Sequence, residues 1–186
     1  HMNLHTSRLR AHRLVSVIYL STLLLSFHYV FVVYVNSNFL EGFFSTKTLG
    51  LLYAVGSLLN IVVFLFISPI LQYFRNYRLM LLNISIEAVA LVGLAISKNP
   101  FIIMGLFVLH HALNPILLFS LDIFLERLSK DATTGNVRGT FLTIMNATFV
   151  LSPLAVGIIL GEGENFPLIY FISAAFLLPL FYLIYR

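Results

Sequence analysis

The 186 residues are 60% hydrophobic and 10% charged, with a formal net charge of +4. A soluble domain carries roughly 25% charged residues, so this chain cannot cover a water-facing surface. It reads as an all-α, polytopic membrane protein whose first partner is the lipid bilayer. With no cysteine, disulfides, thiolate catalysis and thiolate metal sites are excluded, and no cofactor is expected.

Residues 1–13 form a basic tail with Arg8, Arg10 and Arg13, in which His1-Met2 reads as a cloning scar. Such a tail is held near anionic headgroups, at about 1 kcal/mol per basic residue. Nucleic acid is not an expected partner for so short a run beside a membrane span. No cleavable signal peptide is read, because the first apolar run is too long and lacks a small-residue cleavage motif.

Six apolar spans follow, at about 14–36, 48–74, 79–97, 101–125, 137–160 and 166–185. Each is near or above the roughly 20 residues that cross a hydrocarbon core. Residues 36–47 read as a polar, Phe-containing loop. The turn 75–78 is so short that the second and third spans must be antiparallel neighbours. Lys98-Asn99-Pro100 makes a tight turn, and 161–165 an acidic, glycine-rich one. The loop between spans four and five carries Glu126, Arg127, Lys130, Asp131 and Arg138, and so belongs in water.

Basic residues orient the spans. With the N-terminus in the cytoplasm, Arg8, Arg10, Arg13, Arg75, Arg78, Arg127, Lys130, Arg138 and Arg186 lie inside, and Lys47 and Lys98 lie outside. Both ends are then cytoplasmic, in a plasma or inner membrane. Tyr34, Tyr53 and Tyr170 fall near the outer interface, and Tyr73, Tyr77, Tyr182 and Tyr185 near the inner one.

A charge at the bilayer centre costs at least about 2.5–3.5 kcal/mol, so polar groups at that depth face protein or water. Glu87 is the acid nearest mid-membrane. It reads as a proton-coupling or substrate-binding carboxylate, or as a protonated acid bonded to Asn60 or Asn83. On the fourth span His111, Asn114, Leu118 and Asp122 share one helical face, and His110 reaches Asn114 by the i+4 spacing. Pro115 leaves a carbonyl near His111 without its backbone donor and kinks the helix. Adjacent imidazoles beside a kink suit a polar substrate or a proton. A metal is disfavoured, since the rings diverge by about 100° and no acid lies one turn away. His28, Tyr29 and Asn146 are further candidates. At the membrane edge, Asp122 or Glu126 pairs with Arg138.

Small residues mark two helices for close packing: Gly50, Ala54 and Gly56 on the second, and Gly139, Thr148, Ser152, Pro153 and Gly157, read as a stripe along one side, on the fifth. Their sequences also resemble a known family. Gly50-Leu-Leu-Tyr-Ala-Val-Gly56 resembles the start of helix two of the major facilitator superfamily. The run 70–78 sits where that family has its helix two–three loop motif, with Gln72 at the aspartate position, Arg75 at the second glycine and a basic residue kept at Arg78. The fifth span resembles the family's helix-five glycine motif. Gly139, Pro153 and Gly157 keep their places, Thr148 and Ser152 replace glycines, and Val156 is not small.

The resemblance implies half of a major-facilitator fold, built from two three-helix repeats. Helices one and four then line a central cavity with His28, Tyr29, His110, His111 and Asn114. Helices two and five face the other half, and helix three is peripheral. The implied function is transport of a small-molecule substrate by alternating access, leaning towards export. The missing wall is either a second copy of the chain in a parallel homodimer or a C-terminal half. A membrane scaffold or assembly partner is the competing class. An enzyme is not expected, as the chain has no Gly-x-Ser-x-Gly, no His-Glu-x-x-His and no paired membrane aspartates.

Overall fold

The computed structural model describes the backbone of residues 2–128 and 134–186, and the side chains of residues 13–127 and 135–186. Arg8, Arg10, Lys130 and Asp131 of the expected tail and loop have side chains outside the described residues. The described chain folds as α1 (Met2–Val33), α2 (Asn36–Glu41), α3 (Thr46–Leu65), α4 (Ile67–Ile96), α5 (Pro100–Leu128), α6 (Thr134–Leu160) and α7 (Phe166–Tyr185). Among the described residues, six helices are long and apolar enough to cross a membrane: all but α2.

The bundle is built on α1, α4, α5 and α7. Helix α1 packs against α5, α6 and α7, while α4 packs against α5 and α7. Helices α3 and α6 lie outside this group, each against mainly one long helix: α3 on α5 and α6 on α1. Lipid supplies no hydrophobic drive between helices, so shape and polar contacts must hold the bundle. The inward faces supply shape through residues such as Leu25, Phe107, Leu117 and Tyr170, all fully buried. The outward faces stay apolar, as at Phe101 and Ile158.

All the ends expected on one side of a membrane do come together. Arg13 and Arg186 border one cavity. Tyr77 donates to the Tyr185 carbonyl at 3.2 Å, Asn76 donates to the Ser120 carbonyl at 2.9 Å, and Arg138 lies 3.9 Å from Asp122. These contacts define a basic end of the bundle, opposite α2.

Several expectations about the elements need correction. The second span does not run unbroken to residue 74. It breaks at Phe66, whose backbone (φ −104°, ψ 11°) leaves the helical region. Pro69 explains the break, because it cannot donate to the Leu65 carbonyl and its ring crowds that turn. A second break follows at Arg75 (φ 59°, ψ 142°) inside α4. With two breaks in the connection, α3 and α4 touch only sparingly and α5 lies between them, so spans two and three are not neighbours along their lengths.

The loop 36–47 contains the short helix α2, held by Asn36, Phe39 and Leu40, which are buried. Tyr170 does not face lipid. It is buried, donates to Asn36 Oδ1 at 2.7 Å and packs edge-on against Phe39. This contact ties α2 to α7.

The small residues of α6 do not form one stripe. Thr148 and Ser152 are buried, whereas Gly139 and Gly157 face outward. Nine residues separate Gly139 from Thr148, which at 100° per residue puts them on opposite sides of a helix. On α3, Gly56 is packed while Gly50 faces outward.

Candidate functional site

Four helices meet around one carboxylate. Glu87 of α4 is fully buried, and its Oε1 accepts from His110 Nδ1 of α5. His28 Nε2 of α1 lies 3.4 Å from the same oxygen. Asn114 links the two rings, with its Oδ1 3.0 Å from His28 Nε2 and its amide nitrogen 3.3 Å from His110 Nε2. Ser173 of α7 closes the cluster. Its hydroxyl donates to the His28 carbonyl at 2.7 Å and lies 2.9 Å from His28 Nδ1.

One assignment of protons satisfies these contacts together. A hydroxyl has a single proton to give. Ser173 gives it to the backbone, so His28 Nδ1–H donates to Ser173. His28 Nε2–H donates to Asn114 Oδ1 and His110 Nδ1–H donates to Glu87, while the Asn114 amide nitrogen lies against the His110 ring, 3.1 Å from Nδ1 and 3.3 Å from Nε2. The protons are assigned from the network rather than located. Two imidazoles, an amide and a hydroxyl thus gather around one carboxylate. Burying a carboxylate is costly unless its hydrogen bonds are met; α5 and α1 serve Oε1 through His110 and His28, while Oε2 has no partner among the described residues.

The cluster forms the back wall of a pocket of about 170 Å³, lined by Tyr29, Val33, Asn36, Tyr53, His110, His111, Asn114 and Pro115. Space of this size is below the roughly 300–1,000 Å³ of drug-sized sites and suits a ligand of few atoms. The two histidines diverge as their adjacency requires. His110 turns to Glu87, while His111 Nε2 sits 3.0 Å from Ser57 Oγ on α3. His111 also stacks on Phe107 and meets Tyr53 edge-on. Gly56 makes this possible, because a Cβ there would stand 2.8 Å from His111 Cδ2.

Pro115 takes the backbone donor from the His111 carbonyl, and neighbouring helices donate to the next two carbonyls of α5. Asn60 of α3 donates to the Ala112 carbonyl at 2.8 Å, and Asn83 of α4 donates to the Leu113 carbonyl at 3.2 Å. Neither amide bonds Glu87, contrary to one reading of the sequence; both bond the α5 backbone instead.

Of the expected cavity residues, Tyr29, His110, His111 and Asn114 line the pocket. His28 lies behind it, bonded to Asn114. Asn60 acts on the backbone, and Asn146 is exposed on α6 outside the pocket. Glu87 does not touch the pocket but reaches it through His110. Asp122 and Arg138 pair at the basic end with both side chains 48% exposed, and Glu126 is exposed one turn on. Among the described residues, no group of three or more His, Cys, Asp or Glu is arranged to hold a metal ion.

Asn36, Tyr53, Ser57 and Ser173 were not legible as site residues. Asn36 looked like loop and Tyr53 like interface. Ser57 and Ser173 are single hydroxyls in apolar helices whose partners lie 54 and 145 residues away. Comparison with protein-family models, curated proteins and solved structures finds no match to this chain.

Proposed function

We propose that this chain is one wall of a major-facilitator-type transporter, moving a small polar molecule by alternating access with proton coupling, in the direction of export. The observation that carries this reading is the pocket backed by the His28–Asn114–His110–Glu87 chain. It joins a small binding volume to titratable groups buried inside the bundle. Intramembrane ionisable groups arranged in this way mark substrate and proton pathways.

The helix pairing supports the architecture. Exchanging the first three long helices for the last three maps α1–α7 onto α5–α4, and α3–α5 onto α6–α1, while α4–α7 maps onto itself. Every one of these pairs is packed, as a three-helix repeat requires. Arg75 supports the resemblance at a second point. It stands where the family's loop motif has a glycine, and its backbone has φ 59°, which glycine adopts without strain.

Helices α3 and α6, the least buried of the six, face the second wall, which is another copy of the chain or a C-terminal half. The basic end lies in the cytoplasm and the protein resides in the inner or plasma membrane. The test is to reconstitute the protein in vesicles, impose a pH gradient and supply a mixture of small metabolites. Mass spectrometry should find at least one solute moved by the protein, dependent on the gradient and lost in Glu87→Gln. A chain shown to be a complete dimer that moves no solute beyond empty vesicles is a scaffold instead.

A further inference from the structure

Seven buried side-chain oxygens have no hydrogen-bond partner among the described residues, and four of them lie on the α4–α5 seam: Asn76 Oδ1, Asn83 Oδ1, Glu87 Oε2 and Ser120 Oγ. Asn76, Asn83 and Glu87 stand at i, i+7 and i+11, one face of a helix. Each has a partner on α5: the Ser120 carbonyl, the Leu113 carbonyl and His110. Buried polar atoms find a partner in protein or water, and a row of them along one seam is a row of places for water.

The row has an outer end and an inner end. Asn76 is buried, but Arg75, Tyr77 and Arg78 beside it are exposed, so the outer end meets the basic end of the bundle. The inner end is Glu87 Oε2. The oxygen on the other side of that carboxylate accepts from His110, which faces the pocket. Between Asn83 and the Asn76–Ser120 contact, about 10 Å of helix, Met80 and Leu117 are each 0% exposed. They are the apolar residues of the interval that are wholly buried, on α4 and α5 respectively.

We propose that the α4–α5 seam is a water-filled proton path from the basic end to Glu87, with Met80 and Leu117 as its apolar gate. The inference rests on the transport reading and supplies its coupling route. Along the path the side chains are neutral, so they order water without trapping the proton. At its end a hydronium gives its proton to Glu87 Oε2 and reverts to water, and the carboxylate becomes neutral. The groups facing Glu87 are His110 from α5 and His28 from α1, with Ser173 of α7 behind His28. Neutralising Glu87 removes the counter-charge of this cluster, which is how the path would reach the pocket.

The absence of cysteine from the chain makes a direct test available. Met80→Cys, Leu117→Cys and Leu91→Cys each carry one thiol, and Leu91 is an equally buried position on α4 beyond Glu87. The full chain in nanodiscs is treated with a methanethiosulfonate bearing a fixed cation, which travels in water and not in lipid. Thiols react as thiolates, which water favours, so the first two should react on the order of tenfold faster than Leu91→Cys. Adding Asn83→Leu should slow both. Rates as low as that of Leu91→Cys at both gate positions overturn the proposal. Should one gate variant misfold, the other reads the opposite wall of the same seam.

Proton entry is then followed with a trapped pH dye, in phosphatidylcholine–phosphatidylglycerol vesicles under a potassium diffusion potential. Leu117→Ala should raise it severalfold and Asn83→Leu should lower it. Reactive thiols with proton entry in Leu117→Ala no faster than in protein-free vesicles mean a wet seam that carries no protons, and also overturn the proposal. Neither readout needs a substrate, so a failed solute-uptake assay leaves this inference separately decided.

Discussion

Glu87 shows how one side chain can tie helices that lipid would otherwise leave indifferent to each other. Interhelical hydrogen bonds in membranes average only about 0.6 kcal/mol, but this carboxylate is the acceptor around which the cluster gathers. Removing it in Glu87→Ala leaves His110 and His28 buried without their counter-charge, at a cost of about 3–5 kcal/mol. Glu87→Gln keeps an acceptor oxygen opposite His110 and should lose clearly less. Thermal loss of helical circular dichroism in nanodiscs ranks the two. Equal melting of both variants would mean that the charge matters and the hydrogen bond does not. The Asp122–Arg138 pair is the opposite case. At 3.9 Å and half exposed, it is worth about 0–1 kcal/mol. Asp122→Asn should therefore leave the melting point nearly unchanged, and a large drop in the same assay would mean that the pair is held in protein rather than at the solvent edge.

At the scale of elements, the break at Arg75 makes its own prediction. A non-glycine residue held in so sparsely populated a region of positive φ costs about 1–3 kcal/mol, and Arg75 is exposed, so its side chain does little to offset that. Arg75→Gly should stabilise the bundle by about 1 kcal/mol, read as a higher melting temperature, while Arg75→Ala should not. Equal effects would place the turn elsewhere than in the left-handed region. The sequence made the six spans legible because apolar length is a local property, and His110–Asn114 legible because an i+4 pair is set by the helix itself. It made the break at Phe66 hard to see, since Pro69 acts a turn before its own position. It hid Ser173 and Asn36 altogether, because contacts across 145 and 134 residues leave no periodic trace. The small-residue stripe misled for a related reason. The spacing of Gly139, Thr148 and Gly157 catches the eye along the chain, but a helix turns those residues to different sides.

For the whole molecule, the division of those small residues sorts the bundle's inner surface from the surface of its assembly. Thr148 and Ser152 are buried within one bundle. Among the described residues, nothing outside the local helix comes within 4 Å of a Cβ built at Gly50, Gly139 or Gly157. A leucine at Gly157 therefore meets open space in an isolated bundle, and replacing a helical glycine removes about 0.8–1.0 kcal/mol of helix penalty relative to alanine. If α3 and α6 face lipid, Gly157→Leu and Gly50→Leu should leave the protein at least as stable as the parent and unchanged in mass. If they face a second bundle, the same leucines intrude on a close helix–helix contact, and dimers seen by native mass spectrometry in the parent should fall apart while each bundle melts as before. The second outcome is the one expected from the transport reading, in which α3 and α6 close the cavity against another copy. A parent that is monomeric, with leucine variants that stay monomeric and gain stability, would give those faces to lipid and leave the pocket with one wall.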